Sequence, residues 1–352
     1  MLKKYPELDL AIQTMKLQSE LYCPTAFWEG AASTIVEELK KGGVKKFRSL
    51  PSMLDYFVPT YGTPGSGFSQ SFIDRISSLM QDPLVFGSKQ KMAVDQFFSG
   101  YLSALSDYRV LLAADDVGSP PYLQDFSESS VGFPVEHFEF DGRLFSRSSL
   151  NYLLGLCFLK RHLGGDVPKI VLEVGGGFGS LGEILTASGI VGLKYIDIDI
   201  PPTSFVAQYY LSEVLGAENV ATFAKTNQMK VIEIDKLPPA SVLCSWQIEK
   251  LQGEVDLFVN FISFQEMEPH IVRNYLSHVS RLGARWVLLR NLREGKQRRQ
   301  EHSVGVEAPI LGDDYLDMLP EYDFIGRSIW PFGYKTVDGF NSELLLLRRR
   351  DC

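Results

Sequence analysis

Cysteine is scarce in this sequence. Only Cys23, Cys157, Cys244 and Cys352 occur in 352 residues, and no two of them form a C-x-x-C pair. Neither a zinc site nor the disulfide framework of a small secreted domain is indicated, and a reducing cytoplasm is the expected compartment. Long apolar runs are missing too. YLLGLCFL is among the longest, well short of the roughly 20 residues a membrane-spanning helix needs. The opening MLKKYPELDL lacks the apolar segment of a signal peptide, so a soluble protein with no membrane partner is expected. Positive charge is in deficit, with 35 Lys and Arg against 43 Asp and Glu. The overall field therefore repels polyanions, and nucleic acid is not an expected partner. Internal repeats and low-complexity segments are absent; the polar stretch EGKQRRQEHS reads as a solvated loop.

What is present is enough apolar material, 45% of residues, to bury a full core in a chain longer than one small domain needs. Two parts are expected. Over residues 1–148, LDLAIQTMKLQSELY, FWEGAASTIVEELKKG and QKMAVDQFFSGYLSALSDYRVLLAA place apolar residues at helical spacing. FVPTYGTPGSGFS and DVGSPPYLQDFSESSVGFP interrupt them with proline and glycine, as linkers or lids. EHFEFDGRLFSRS alternates bulky residues around Asp141-Gly142, a hairpin signal, and SLNYLLGLCFLKRHLGG reads as a helix ending on glycines.

Over residues 149–352 the pattern changes to short apolar strands separated by helices: KIVLEV, LKYIDIDI, VDLFVNFI and RWVLLRN, with KVIEI as a further candidate. Such alternation marks an α/β sheet. FIGRSIW and SELLLLRRR are joined by PFGYKTVDGFN, which leaves no room for a helix, so they should form an antiparallel pair.

The glycine-rich stretch VLEVGGGFGSLGEIL follows the first of these strands. Gly177 to Gly182 matches the dinucleotide pattern G-x-G-x-x-G, and Asp199 lies near the distance expected of a ribose-binding acid. That register leaves two glycines at the strand end and does not explain Glu173. The other register sets Glu173 two residues before Gly175, Gly177 and Gly179, three alternating glycines at the carboxyl end of a strand. It resembles motif I of the class I S-adenosylmethionine-dependent methyltransferases. Glycines let the backbone approach a cofactor where a Cβ would collide. An acid at the strand end suits a cationic methionine ammonium, directly or through water, and would repel a pyrophosphate. Asp199 would accept from both ribose hydroxyls, with Asp197 the second choice. A nicotinamide or flavin site and a purely structural glycine loop remain as alternatives.

Further stretches carry a closer likeness: PTAFWEGAASTIVEELKKGGVKKFRSLPSMLDYFVPTYG, LFSRSSLNYLLGL, YIDIDIPPTSFVAQYYLS and DLFVNFISFQEME. Together with the glycine motif they resemble a family of sugar O-methyltransferases, from about Cys23 onward. The resemblance implies a Rossmann-like class I methyltransferase sheet of seven strands, the last antiparallel, behind an N-terminal mainly helical domain. It also implies S-adenosylmethionine as cofactor and a small sugar-containing acceptor. The helical part would govern acceptor choice, with homodimer formation as a second role.

Methyl transfer from a sulfonium to a hydroxyl is an in-line displacement that needs alignment and a base. The tip of the strand Val255 to Ile262 brings forward Asn260, Ser263, Gln265, Glu266 and His270, with Glu266 and His270 four apart on one helical face. Glu266 and His270 are candidate bases, and His137 in the hairpin is a third. The bland readings are a helix-terminal acid, a solvated histidine and a lone histidine without chemistry. A divalent metal such as Mg, bound by Glu266 and a second carboxylate, would chelate neighbouring hydroxyls, but no ligand spacing demands one. Trp246 would cover an adenine face or pack in the core. Ser146, Arg147 and Ser148 would bind the methionine carboxylate or cap a helix. Tyr61, Gln265 and Asn341 are candidates for the acceptor pocket, while Trp28 and Phe47 read as core. Rival functions are a same-fold methyltransferase acting on a non-sugar hydroxyl or an amine, and a cofactor-binding protein without catalysis.

Overall fold

A computed structural model describes residues 4–62, 70–81, 87–300, 305–336 and 339–351. The first part is helical: α1 (Pro6–Met15), α2 (Ala26–Gly42), α3 (Pro51–Tyr56), α4 (Gln70–Leu79), α5 (Ser88–Ser99) and α6 (Tyr101–Ala114). Two of the expected helices are shorter than their apolar spacing suggested. α1 ends at Met15, and a short 3-10 turn, Glu20–Tyr22, carries the chain onward. The long run before Ala114 breaks at Gly100, which takes a left-handed conformation (φ +80°) and where a Cβ would lie 2.4 Å from the backbone of Tyr61. Only glycine fits that approach. The segment FVPTYGTPGSGFS lies partly outside the described residues, as does EGKQRRQEHS. No helix among the described residues is long and apolar enough to cross a membrane.

A hairpin, β1 (Phe138–Phe140) and β2 (Arg143–Phe145), turns at Asp141-Gly142, both with positive φ, the backbone twist that two-residue hairpins favour. The next helix, α7 (Arg147–Leu163), is apolar on nearly every side and almost wholly buried. Ser146 caps it, its Oγ accepting the Ser149 N–H (3.2 Å).

The remaining strands are β3 (Ile170–Val174), β4 (Lys194–Asp199), β5 (Val220–Ala221), β6 (Ile232–Glu233), β7 (Ala240–Cys244), β8 (Leu251–Gln252), β9 (Leu257–Phe261), β10 (Trp286–Leu292), β11 (Tyr322–Ser328), β12 (Tyr334–Lys335) and β13 (Asn341–Arg349). Helices α8 (Ser180–Ala187), α9 (Thr203–Leu215), α10 (Phe223–Thr226), α11 (Pro269–Arg281) and α12 (Asp314–Met318) alternate with them.

The main sheet has nine strands in the order β11-β13-β10-β9-β3-β4-β7-β5, with β12 paired to β13. The inner strands run parallel, and β13 enters reversed between β10 and β11. This is the Rossmann-like class I methyltransferase sheet, extended at its margins by β5 and β12. The antiparallel C-terminal pair is as expected. KVIEI is a correction: its β6 pairs with β8 in a separate small sheet. The third strand is β7, ASVLC, buried along its whole length. Strands covered on both faces are continuous apolar runs without alternation, and this one is short and lies beside a stronger-looking β-branched run.

The core crosses the boundary between helices and sheet. Leu8, Ile35, Leu39 and Phe47 belong to the same buried cluster as Leu154, Phe178 and Tyr210. Phe47 packs on Phe178 with ring centroids 5.6 Å apart, which matches its expected core role.

Candidate functional site

The carboxyl ends of β3, β4 and β9 converge on a pocket whose floor is Gly175, Gly176 and Gly177. Gly175 and Gly177 both take positive φ, +75° and +64°, and a Cβ on Gly175 would lie 2.2 Å from Ser263 Oγ. The loop is thus pressed against the tip of β9 with its backbone toward the open space. In an α/β sheet this switch point between neighbouring strands is where ligands bind.

Three carboxylates lie beneath or beside the loop, two of them fully buried. Asp199 lines the pocket; it accepts the N–H groups of Gly177 (3.2 Å) and Ile200 (2.7 Å). Burial raises its carboxyl to about 8 against those two hydrogen bonds, with the charge of Glu173 adding to the rise. Asp197 is fully buried, accepts the Gly176 N–H at 3.1 Å, and has no partner for its other oxygen among the described residues. Burial and the neighbouring Asp199 and Glu173 hold it well above the usual carboxylate range. Glu173 is also fully buried, its two oxygens accepting from Tyr152 (2.8 Å) and Tyr195 (2.6 Å). Burial lifts it to about 7 in spite of those bonds. Direct contact between Glu173 and a bound cation is therefore not what this geometry offers, because two phenols already occupy its oxygens. Tyr152, which does line the pocket, stands between.

The cover comes from the N-terminal part. Cys23, Pro24, Thr25, Trp28, Tyr56 and Phe57 line the upper wall, so Trp28, expected in the core, faces the pocket. Glu266 lines the same wall, 9% exposed. It accepts from Trp28 Nε1 (3.1 Å) and lies 3.3 Å from Lys296 Nζ. Burial raises its carboxyl, with Lys296 and Trp28 opposing. Ser148 borders the pocket as well, and Ile262 holds a positive φ of 75° at its edge, an uncommon conformation for a β-branched residue. Such strain clusters at functional sites.

A second pocket adjoins the first and shares Asn151 and Ile262 with it. Tyr61, Gln265, Arg147 and Tyr334 line it. Tyr61 donates to Asp107 (2.5 Å), and Gln265 Oε1 accepts the Leu292 N–H (2.8 Å). Arg147 thus lies in this pocket and away from the glycine loop.

Other candidates lie elsewhere. His270 sits exposed near the start of α11, and it shares no helical face with Glu266. Glu266 ends a 3-10 turn, Met267 is extended, and Pro269 starts a new helix. His137 Nε2 is 3.0 Å from Arg48 in a buried ion cluster and lines neither pocket. Trp246 packs edge-on against Phe223 with ring centroids 5.8 Å apart, away from the glycine loop. Asn341 donates to Glu294 (2.6 Å) outside both pockets. Asn260 is buried behind the loop, where it donates to the Val174 carbonyl (2.8 Å) and Ser263 Oγ (2.6 Å) and so ties β9 to β3. Among the described residues no group of three His, Cys, Asp or Glu is arranged to hold a metal.

Sequence reasoning missed Tyr152, Thr203, Met267 and the aromatic cover. Tyr152 carried a signal, a polar tip on the apolar helix that precedes the motif strand; Met267 and Tyr56 carried none.

No protein-family model matches the chain, and no curated protein does. Solved structures with a distant likeness include methyltransferases. Magnesium protoporphyrin IX methyltransferase from Synechocystis PCC 6803, with bound SAM, is 14% identical over 69% of this chain and 97% of its own, with a TM-score of 0.38. A SAM-dependent methyltransferase from Aquifex aeolicus is 16% identical over 58% and 94%, TM-score 0.36. Burkholderia thailandensis 1,6-didemethyltoxoflavin-N1-methyltransferase, with S-adenosylhomocysteine bound, is 13% identical over 58% and 78%, TM-score 0.40.

Proposed function

We propose that this chain is an S-adenosylmethionine-dependent methyltransferase that methylates a hydroxyl of a sugar-containing small molecule. One observation carries the reading: a side-chain-free backbone turn at the tip of β3 faces the same pocket as Asp199 at the tip of β4. That pairing fits a nucleoside with a vicinal diol, since two ligand hydroxyls would draw Asp199 into its anionic, accepting form and the glycines leave room for the ligand. The phenol of Tyr152, which lines the pocket, adds polar character beside it. S-adenosylmethionine would supply an electrophilic sulfonium methyl group.

The chain's own groups do the rest. Ile262 and Ser263 present the tip of β9 to the reacting centre, and Trp28, Tyr56 and Phe57 exclude water from it. A carboxylate oxygen of Glu266 would take the proton of the acceptor hydroxyl as that oxygen takes the methyl group from the sulfonium, which would leave as a neutral thioether. Lys296 and Trp28 orient that carboxylate and oppose the burial that raises it. Residues 1–148 act as the cover that selects the acceptor, and residues 149–352 hold the methyl donor.

Titration calorimetry with S-adenosylhomocysteine tests the donor site. Micromolar binding that weakens roughly ten- to a hundred-fold in Asp199→Ala is expected, the cost of losing a charged hydrogen-bond acceptor. Absence of binding to the wild type, with a reduced nicotinamide binding instead, would overturn the reading.

A further inference from the structure

We propose that the second pocket binds the oxyanion of an acidic acceptor, a sugar bearing a carboxylate or a phosphate, and so selects charged acceptors over neutral ones. This rests on the first pocket being the methyl-donor site. Three cations, Arg147, Lys296 and Lys335, line the second pocket against one acid, Asp107. Arg290 lies fully buried against the same site, its guanidinium donating to Asn151 (3.0 Å) and to the Phe332 carbonyl. Lys296 is occupied by Glu266. Among the described residues neither Arg147 nor Arg290 has a carboxylate within 4.0 Å, and Arg290 Nε has no hydrogen-bond partner.

A buried guanidinium (Arg290) and a half-buried one (Arg147), with Asp107 their one nearby acid and no direct ion pair among the described residues, are costly to hold. In a chain of net charge −8, a local excess of cations is not a by-product of composition. The Arg147 guanidinium is sandwiched between the rings of Tyr61 (5.7 Å) and Tyr334 (5.1 Å), with one nitrogen anchored on the Thr60 carbonyl (2.9 Å). A planar, pre-oriented fork of this kind suits carboxylate or phosphate better than a neutral hydroxyl. The phenol of Tyr334 responds to the same field. Burial alone would raise it, yet Arg147 and Arg290 bring it below the ordinary phenol value. Asn151 and Ile262 border both pockets, so an acceptor anchored by its oxyanion on Arg147 would extend toward the tip of β9.

The test is calorimetry with glucose 1-phosphate, glucuronate and glucose, each with and without S-adenosylhomocysteine. At least one acidic sugar should bind tenfold or more tightly than glucose, and the stronger of the two identifies phosphate or carboxylate as the anion. Arg147→Gln should abolish the preference. Lys335→Gln, at the exposed rim, should reduce it severalfold even where Arg147→Gln fails to fold. Equal binding of acidic and neutral sugars, or binding of neither acid, while S-adenosylhomocysteine still binds would overturn the inference and leave the donor site standing. Failure of S-adenosylhomocysteine itself to bind would remove the donor reading, and the acceptor role with it.

Discussion

The indole N–H of Trp28 donates to Glu266 across 3.1 Å, joining a helix near the chain start to the turn after β9. The one charged partner of that carboxylate among the described residues is Lys296. A buried carboxylate held by one neutral and one cationic donor keeps lone pairs for a third partner. Replacing Glu266 by Gln preserves shape and removes basicity. Turnover should fall about 10²- to 10⁴-fold, the usual contribution of a general base, with S-adenosylhomocysteine affinity unchanged. Because burial raises this carboxyl, the wild-type rate should climb with pH through a range above that of an ordinary glutamate, and the variant should lose that limb. Full turnover of the variant in a steady-state assay would remove the base role.

Asp199 makes a prediction about protons. Burial holds its free carboxyl at about 8, so much of it is protonated near neutrality. A ligand that donates hydroxyl hydrogens to it favours the ionised form, and binding should release a proton. Affinity for S-adenosylhomocysteine should therefore rise between pH 6 and pH 8 and level off above. In Asp199→Asn the slope should vanish. Calorimetry in two buffers of different ionisation enthalpy reads the proton release directly, and a flat wild-type profile would show that Asp199 does not gate the site.

How much of this was legible beforehand depends on whether the signal was local. The motif strand, the glycine turn and Asp199 are set by spacing within about 30 residues, and they arrive together in one pocket. The reversed last strand was readable because the linker was too short for a helix. ASVLC was not, since five buried residues carry no alternation. The helical coupling of Glu266 to His270 failed because Pro269 begins a new helix, forcing the preceding residue out of helical geometry. His137 was placed by long-range pairing with Arg48, a relation no spacing rule contains. The aromatic cover depends on how separate segments pack.

Glu173 gives a stability prediction with a definite sign. Its folded carboxyl is raised from 4.5 to about 7 by burial, so the folded state binds a proton more tightly than the unfolded chain. Stability from this group is fully present below about pH 4.5 and is lost as pH rises through about 7. The displacement corresponds to about 3 kcal/mol as an upper figure. Glu173→Gln keeps an acceptor for one tyrosine and carries no charge. Its Tm should equal or fall below that of the wild type at pH 5 and exceed it at pH 8. A variant less stable by the same margin at both pH values would show that the glutamate is ionised and satisfied throughout.

The buried cluster around Arg48 should behave in the opposite sense. Arg48 is fully buried, 2.8 Å from Glu128 and 2.5 Å from Glu136. Burial would raise Glu128, but Arg48, His137 and Ser149 outweigh it and bring the carboxyl down to about 2. Glu136 remains raised by burial, and one of its oxygens has no partner among the described residues. The stabilisation from Glu128 is present above its unfolded value near 4.5 and disappears as pH falls toward about 2. Arg48→Met strands two carboxylates in the core and should cost about 3 to 5 kcal/mol at pH 7, a Tm drop on the order of 10 °C for a chain of this size. Glu128→Gln should be more damaging than Glu136→Gln, because it turns one of the two oxygens that together accept from Arg48, Ser146 and Ser149 into an amide donor. Denaturant titration of both variants at pH 7 decides the matter. Equal losses would mean that Arg48 draws on the two acids alike, and the asymmetry argued from their opposite shifts would fall.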